Sequence, residues 1–248
     1  MLVLGFIAFS FVASSVYIVN DIQDADKDRK HPKKRFRPIA SGRISKQHAI
    51  IFLIFLLIIS VGIMIYLARE SHNTWGTFGF PIFYLVMNVA YSNGLKNFPL
   101  VDVVIIAVGF VIRLLYGGVL VNITISDSLL LTVISASMFL GFGKRRNELR
   151  KGTSTRKVLK VYSIGFLDKI MYVFIGLTLV FYSLWSIAGN WLLVYTVPLA
   201  MVIVADYCLI IESGSSDGDP AEVLKHSESL LVLLILFILM LLFCLYAK

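Results

Sequence analysis

Long apolar runs alternate with short polar ones along almost the whole chain. Runs of roughly 18 or more apolar residues can cross a bilayer as helices. They fall at residues 2–19, 47–68, 78–93, 100–121, 126–143, 169–188, 191–211 and 230–246. The run at 78–93 is short and carries Pro81 near its start, a position helices tolerate. None shows the alternation of a barrel strand, and an open sheet edge cannot face lipid. The pattern predicts an all-α, polytopic transmembrane bundle of about eight helices, forming one domain over residues 1–248.

Composition strengthens that reading. Of 248 residues, 58% are hydrophobic and only 15% charged, against about 25% charged in an average soluble domain. A net charge of +8 would suggest nucleic acid in a soluble protein. Here the bases sit in loops between apolar runs, so they read as topology signals and anion contacts, and a nucleic-acid partner is not expected. The loops at 21–46 and 144–160 are dense in Lys and Arg, and Lys96 lies in the third loop. All the basic loops are odd-numbered and share one side, which the positive-inside rule makes the cytoplasm. The expected location is the inner cell membrane, with the chemistry on the cytoplasmic face and the N-terminus outside. No cleavable secretory signal is expected, because the first apolar run leads straight into an acidic stretch. Cys208 and Cys244 lie in apolar runs, form no metal-ligand pattern and read as packing residues.

That acidic stretch, Asn20-Asp21-Ile-Gln-Asp24-Ala-Asp26-Lys-Asp28, is followed at once by Arg29-Lys-His31-Pro32-Lys33-Lys34-Arg35-Phe36-Arg37-Pro38. At about 100° per residue, a helix puts Asp21, Asp24 and Asp28 on one face, Asn20 at its rim and Asp26 away from it. Three carboxylates on one face are costly unless something positive sits between them. A hard divalent cation answers the need, taking oxygen ligands and bridging to phosphate. The bases beyond then serve as a grip for the anion that the metal brings. The bland alternative is a solvated, topogenic charge cluster. The single-face spacing disfavours it.

Other polar features are less specific. Tyr91-Ser-Asn-Gly-Leu-Lys96 closes the third run, and Lys96 either snorkels or holds a phosphate. Arg113 lies mid-membrane, where a charge costs roughly 2.5–3.5 kcal/mol on insertion scales, so it reads as part of a cavity wall. Asp102 is three turns away, about 16 Å along the helix, and is not its direct partner. Lys144 and Glu148 form an i,i+4 pair if the fifth helix continues. Residues 214–222, with Asp217, Asp219 and Glu222, read equally as a solvated linker or as a loop closing over a site. The chain carries no GxGxxG or Walker-type loop, and its four His are scattered.

Residues 20–42 resemble the UbiA superfamily of intramembrane prenyltransferases. The likeness lies in Asn20, Asp21, Asp24 and Asp28, in Arg37-Pro38 and Ser41-Gly42, and in Tyr91 with Lys96. Within that superfamily the decaprenyl-phosphate phosphoribosyltransferase branch is the nearer match. Asp28 to Pro38, Leu95-Lys96 with Asp102, Gly109-Phe110-Val-Ile-Arg113, Gly143-Lys144-Arg145 with Glu148, and Gly218-Asp-Pro-Ala-Glu222 carry it. Most of the superfamily has a second Asp-rich motif where this chain has Lys144, Arg145 and Glu148. Exchanging acids for bases makes sense if a second anionic substrate occupies that half-site.

The resemblance implies transfer of ribose 5-phosphate from phosphoribosyl diphosphate to a polyprenyl phosphate, releasing diphosphate, for a lipid-linked cell-wall arabinan precursor. It implies Mg²⁺ on Asp21, Asp24 and Asp28, with Asn20 orienting a ligand or the ribose. Lys33, Lys34, Arg35 and above all Arg37 are expected to meet the 5-phosphate. Tyr91, Lys96, Arg113, Lys144 and Arg145 are expected around the lipid phosphate, with Glu148 positioning Lys144 or a sugar hydroxyl. A homo-oligomer is compatible with this reading. The superfamily has about nine helices, and the Asp motif ends its second; here it ends the first, so one leading helix is expected to be missing. The alternatives are ordinary prenyl transfer from a prenyl diphosphate, or a transporter with an acidic cytoplasmic mouth.

Overall fold

The computed structural model describes residues 1–30, 34–152, 156–213, 223–224 and 227–246. Among them are eight long helices and no strand. They are α1 (Leu2–Asp28), α2 (Lys46–Ser71), α3 (Thr74–Ser92), α4 (Val101–Leu120), α5 (Asp127–Lys151), α6 (Ile164–Ala188), α7 (Thr196–Ser213) and α8 (Glu228–Tyr246). Seven are long and apolar enough to cross a membrane. The exception is α3, whose 19 residues span about 28 Å but include Thr74, Trp75, Asn88 and two tyrosines.

Helix ends differ from the apolar boundaries for a physical reason. The end of an apolar run marks where lipid contact stops, and backbone hydrogen bonding continues beyond it. Thus α1 runs on to Asp28 and α5 to Lys151. The polar extensions carry i,i+3 ion pairs such as Arg145–Glu148 at 3.0 Å. At α3 the Asn73 side chain accepts from Gly76 N at 2.8 Å and starts the helix ahead of its apolar run. Pro81 therefore lies inside the helix, not in its first turn as expected, and is buried. It costs one backbone bond there. Ser45, Ser126 and Ser163 cap α2, α5 and α6.

The chain forms two compact units. The first comprises Met1–Leu95 and Ile112–Thr124, the second Lys96–Val111 and Ile125–Lys248. In the first unit α1 packs on α2, and the Ser60 hydroxyl donates to Ala8 O at 2.9 Å. Such bonds between helices substitute for the hydrophobic drive that lipid removes. Phe9 lies 4.9 Å from the Tyr84 ring and 5.3 Å from that of Tyr116.

In the second unit α5 packs chiefly on α6. Its core includes Phe142, Met171, Ile211 and Val103. Gly141 lets α5 approach Val103: a Cβ there would stand 2.5 Å from Val103 Cγ1.

One end of this unit is held by buried charge. Asp102 and Arg145 are 0% and 1% exposed, and Arg145 Nε donates to Asp102 Oδ2 at 2.5 Å. Tyr162 donates to the other Asp102 oxygen at 2.9 Å and accepts from Leu100 N at 2.6 Å. Burial pushes the Tyr162 phenol up to about 12, so it stays a donor at neutral pH. Arg146 reaches Asp168 of α6, and its Nη2 donates to Glu212 of α7 at 2.6 Å. Removing one member of such a pair strands the other in low dielectric. Asp102→Ala is expected to cost about 3–5 kcal/mol, read as a fall in thermal unfolding temperature in detergent. An unchanged transition would show that the pair carries no fold.

Candidate active site

Because α1 continues past its apolar run, its last two turns present the acidic stretch as predicted. Asp26 points out, 76% exposed, and pairs with Arg29 at 3.0 Å. Asp21 and Asp24 are half-buried and Asp28 is buried. The cation that this face requires is supplied by the chain itself. Arg37 Nη1 donates to Asp21 Oδ1 at 2.8 Å and to Asp28 Oδ2 at 2.9 Å. Asp24 lies 3.9 Å from Lys27 Nζ. Among the described residues no three carboxylate, His or Cys groups are already gathered as a metal cage. The donor set nevertheless fits Mg²⁺, which takes oxygen ligands and needs only one or two carboxylates beside water and phosphate.

Arg37 is placed by the loop behind it. Ile39 is buried with Ala25 of α1 and Ala49 of α2, and Ala40 next to it is buried too. Ser41 N donates to Arg37 O at 2.8 Å and Ile44 N to Pro38 O at 3.1 Å. Gly42 completes the turn at φ +79°, a conformation glycine adopts without a Cβ penalty. Arg29 Nε donates to Ala40 O at 3.1 Å, tying the loop to the end of α1. Lys34 and Arg35 are exposed on a short 3₁₀ turn (Lys34–Phe36), with Arg35 4.9 Å from the Phe36 ring. Lys33, with His31 and Pro32, lies outside the described residues.

A cavity of about 620 Å³ adjoins the carboxylate face and shares Asp21 with it. Tyr17, Ile39, Arg43, His48 and Phe52 also line it. Arg43 and His48 were not singled out in the sequence, since both read as loop or helix-start polarity. Elsewhere in this unit, Asn20 Oδ1 accepts from Ser92 of α3, which fixes the amide at the rim of the face. Tyr91 beside it is half-buried.

Arg113, expected in a cavity wall, is exposed. Its guanidinium lies 4.8 Å from the Tyr84 ring and 5.5 Å from that of Phe9, and Nη2 donates to the Tyr84 hydroxyl at 2.8 Å. Aromatic faces and one hydroxyl thus offset part of the cost of a charge in the membrane.

In the second unit, Lys96 and Lys144 are half-buried. Arg145 is enclosed, engaged with Asp102 and, through Nη1, with Glu148 at 3.0 Å. Glu148 also lies 3.6 Å from Arg156. Arg145 is thus sealed from the phosphate expected to meet it, and Glu148 meets two arginines. The sequence reading missed Ser92, Tyr84, Tyr162, Arg146, Asp168 and Glu212. For each, only the partner across the fold makes the residue informative. Residues 214–222 lie outside the described residues.

A profile of the UbiA prenyltransferase family matches residues 1–227. The decaprenyl-phosphate phosphoribosyltransferase of Corynebacterium glutamicum is 31% identical over 242 residues, covering 93% of this chain and 71% of that protein. That of Mycobacterium tuberculosis is 31% identical over 244 residues, covering 95% of this chain and 78% of its own. A solved UbiA homologue from Archaeoglobus fulgidus, bound to GPP and Mg²⁺, superposes with a TM-score of 0.73 at 18% identity. It covers 98% of this chain and 87% of its own. The resemblance to the phosphoribosyltransferase branch therefore extends over most of the chain. With its seven apolar helices, the chain is a multi-pass integral membrane protein and belongs to the UbiA prenyltransferase family.

Proposed function

We propose that this protein transfers the 5-phosphoribosyl group from phosphoribosyl diphosphate to a polyprenyl phosphate. The observation that carries the reading is chemical. The α5 end, where most of the superfamily has a second acidic motif, carries bases instead: Lys144, which is half-buried, beside Arg145 and Arg146, which are paired within the fold. Likeness to two decaprenyl-phosphate phosphoribosyltransferases over nearly the whole chain supports it.

In this reading Asp21, Asp24 and Asp28 hold Mg²⁺, directly or through water. When bound, Mg²⁺ neutralises charge that builds on the leaving diphosphate. Asn20, held by Ser92, orients the ribose or a ligand. Lys33, Lys34 and Arg35, of which Lys34 and Arg35 are exposed, are the candidates to contact the 5-phosphate. The bond from the anomeric carbon to diphosphate breaks, and its electron pair leaves with diphosphate. A lipid-phosphate oxygen forms the new bond to that carbon. The acceptor is already an anion, so no proton must be removed and no catalytic His is required. Lys96 and Lys144 in the second unit, and Arg113 with Tyr91 in the first, are each candidates to hold the lipid phosphate. Arg145 and Glu148 hold α4 to α5 and keep the neighbouring Lys144 in place. The basic loops support a reaction on the cytoplasmic face of the cell membrane.

A second reading is prenyl transfer from a prenyl diphosphate, favoured by the GPP bound in the Archaeoglobus fulgidus neighbour. Membranes containing the protein, labelled phosphoribosyl diphosphate, Mg²⁺ and polyprenyl phosphate separate the two. Label is expected in an acid-labile lipid. EDTA should abolish it, and Asp24→Ala should reduce it about 100-fold, the loss of several kcal/mol of leaving-group stabilisation. Full Mg²⁺-dependent turnover by Asp24→Ala would refute the metal assignment. Transfer only from a prenyl diphosphate would establish the second reading. Lys144→Ala is expected to raise the acceptor KM about tenfold, as for one lost charge-assisted contact. Arg145→Ala should instead lower the yield of folded protein. Reversed behaviour of this pair would contradict the division of roles.

A further inference from the structure

We propose that Arg37 and the donor's metal are alternative cations on Asp21 and Asp28, so that the divalent ion enters as its diphosphate complex and is excluded as a free ion. The inference rests on the carboxylate–Mg²⁺ reading above and adds a role for Arg37 within it: a positioning residue that sets the order of binding.

The geometry is one nitrogen between two carboxylates. Arg37 Nη1 takes both Asp21 Oδ1 and Asp28 Oδ2, at 2.8 and 2.9 Å. These residues lie two helical turns apart, so the guanidinium spans the face that a metal would occupy. The Asp28 side chain is only 7% exposed, and a carboxylate so enclosed is costly without a partner. A metal drawing on those oxygens must displace Arg37 or share them with it.

Competition by Arg37 is strong because its backbone is anchored. The turn that follows is closed by Ser41 N on Arg37 O and Ile44 N on Pro38 O, Ile39 is sunk against α1 and α2, and Ala40 O accepts from Arg29. A tethered cation competes at high effective concentration. Its side chain remains 42% exposed, so its charged end can leave while the backbone stays. A free divalent ion would have to expel the guanidinium and leave it without an anion. A metal diphosphate supplies the metal for the carboxylates and phosphate oxygens for the displaced guanidinium, which binds phosphate in a two-pronged manner. Arg37 then meets the donor's diphosphate, not only its 5-phosphate as the sequence reading expected.

The test is Mn²⁺ binding to the detergent-purified full chain, followed by the electron paramagnetic resonance of free Mn²⁺. Wild type, Arg37→Gln and Arg37→Lys are each titrated with and without phosphoribosyl diphosphate. Wild type is expected to bind Mn²⁺ weakly alone and tightly with the donor. Arg37→Gln should bind free Mn²⁺ about tenfold more tightly than wild type, the effect of removing one paired charge, and should lose most of the donor's enhancement. Arg37→Lys, a point charge without the fork, should fall between them, and it serves alone if the Gln variant does not fold. Free-Mn²⁺ affinity that is unchanged or weaker in both variants would overturn the role of Arg37 while leaving the metal reading intact, provided wild type still binds Mn²⁺ with the donor. Failure of wild type to bind Mn²⁺ even with the donor would overturn both.

Discussion

Like charge gathered on one helix face at the edge of a low-dielectric region is the constraint on which this structure turns. Three carboxylates follow from the spacing 21, 24, 28 once α1 continues beyond its apolar run. They cannot stay close together without a cation. The chain answers with Arg37, delivered by a loop whose buried Ile39 and Ala40 hold its backbone in place. The same demand suits the face to a divalent ion and a diphosphate. Fold and proposed chemistry thus share one electrostatic requirement, met by different cations.

The second unit solves a related problem in a different way. Several of its charges are paired internally: Asp102 with Arg145, with Tyr162 as a further donor, and Arg146 with Asp168 and Glu212. These contacts cross from α5 to α4, α6 and α7, and lock helix ends in a setting where lipid gives helices little reason to associate. Adjacent residues on one turn of α5 therefore have separate tasks. Arg145 is sealed into the scaffold, while Lys144 is half-buried and is the one proposed to meet the lipid phosphate. A run of bases in sequence is not a run of equivalent binding groups.

Much of this was legible from residues alone. Hydropathy marked eight helices, and 3.6-residue periodicity placed Asp21, Asp24 and Asp28 together with Asp26 outward. Asp102 was not expected to partner Arg113, and it meets Arg145 and Tyr162. What periodicity cannot provide is the partner across the fold. Arg37 meets Asp21 sixteen positions back only because of the turn at Gly42 and the buried Ile39, and a hydropathy pattern contains neither. The aromatic faces of Tyr84 and Phe9 against which Arg113 lies were likewise not legible, since both are far from it in sequence. The start of α3 was misjudged because a capping Asn73, not an apolar residue, begins it.

The most direct test of the central claim is a structure with Mn²⁺ and phosphoribosyl diphosphate bound, with the metal located by its anomalous signal. The account predicts Mn²⁺ at the end of α1, bonded to at least one of Asp21, Asp24 and Asp28 and to the diphosphate, with the Arg37 guanidinium moved from the carboxylates to phosphate oxygen. Mn²⁺ found elsewhere, with Arg37 still bridging Asp21 and Asp28, would contradict it.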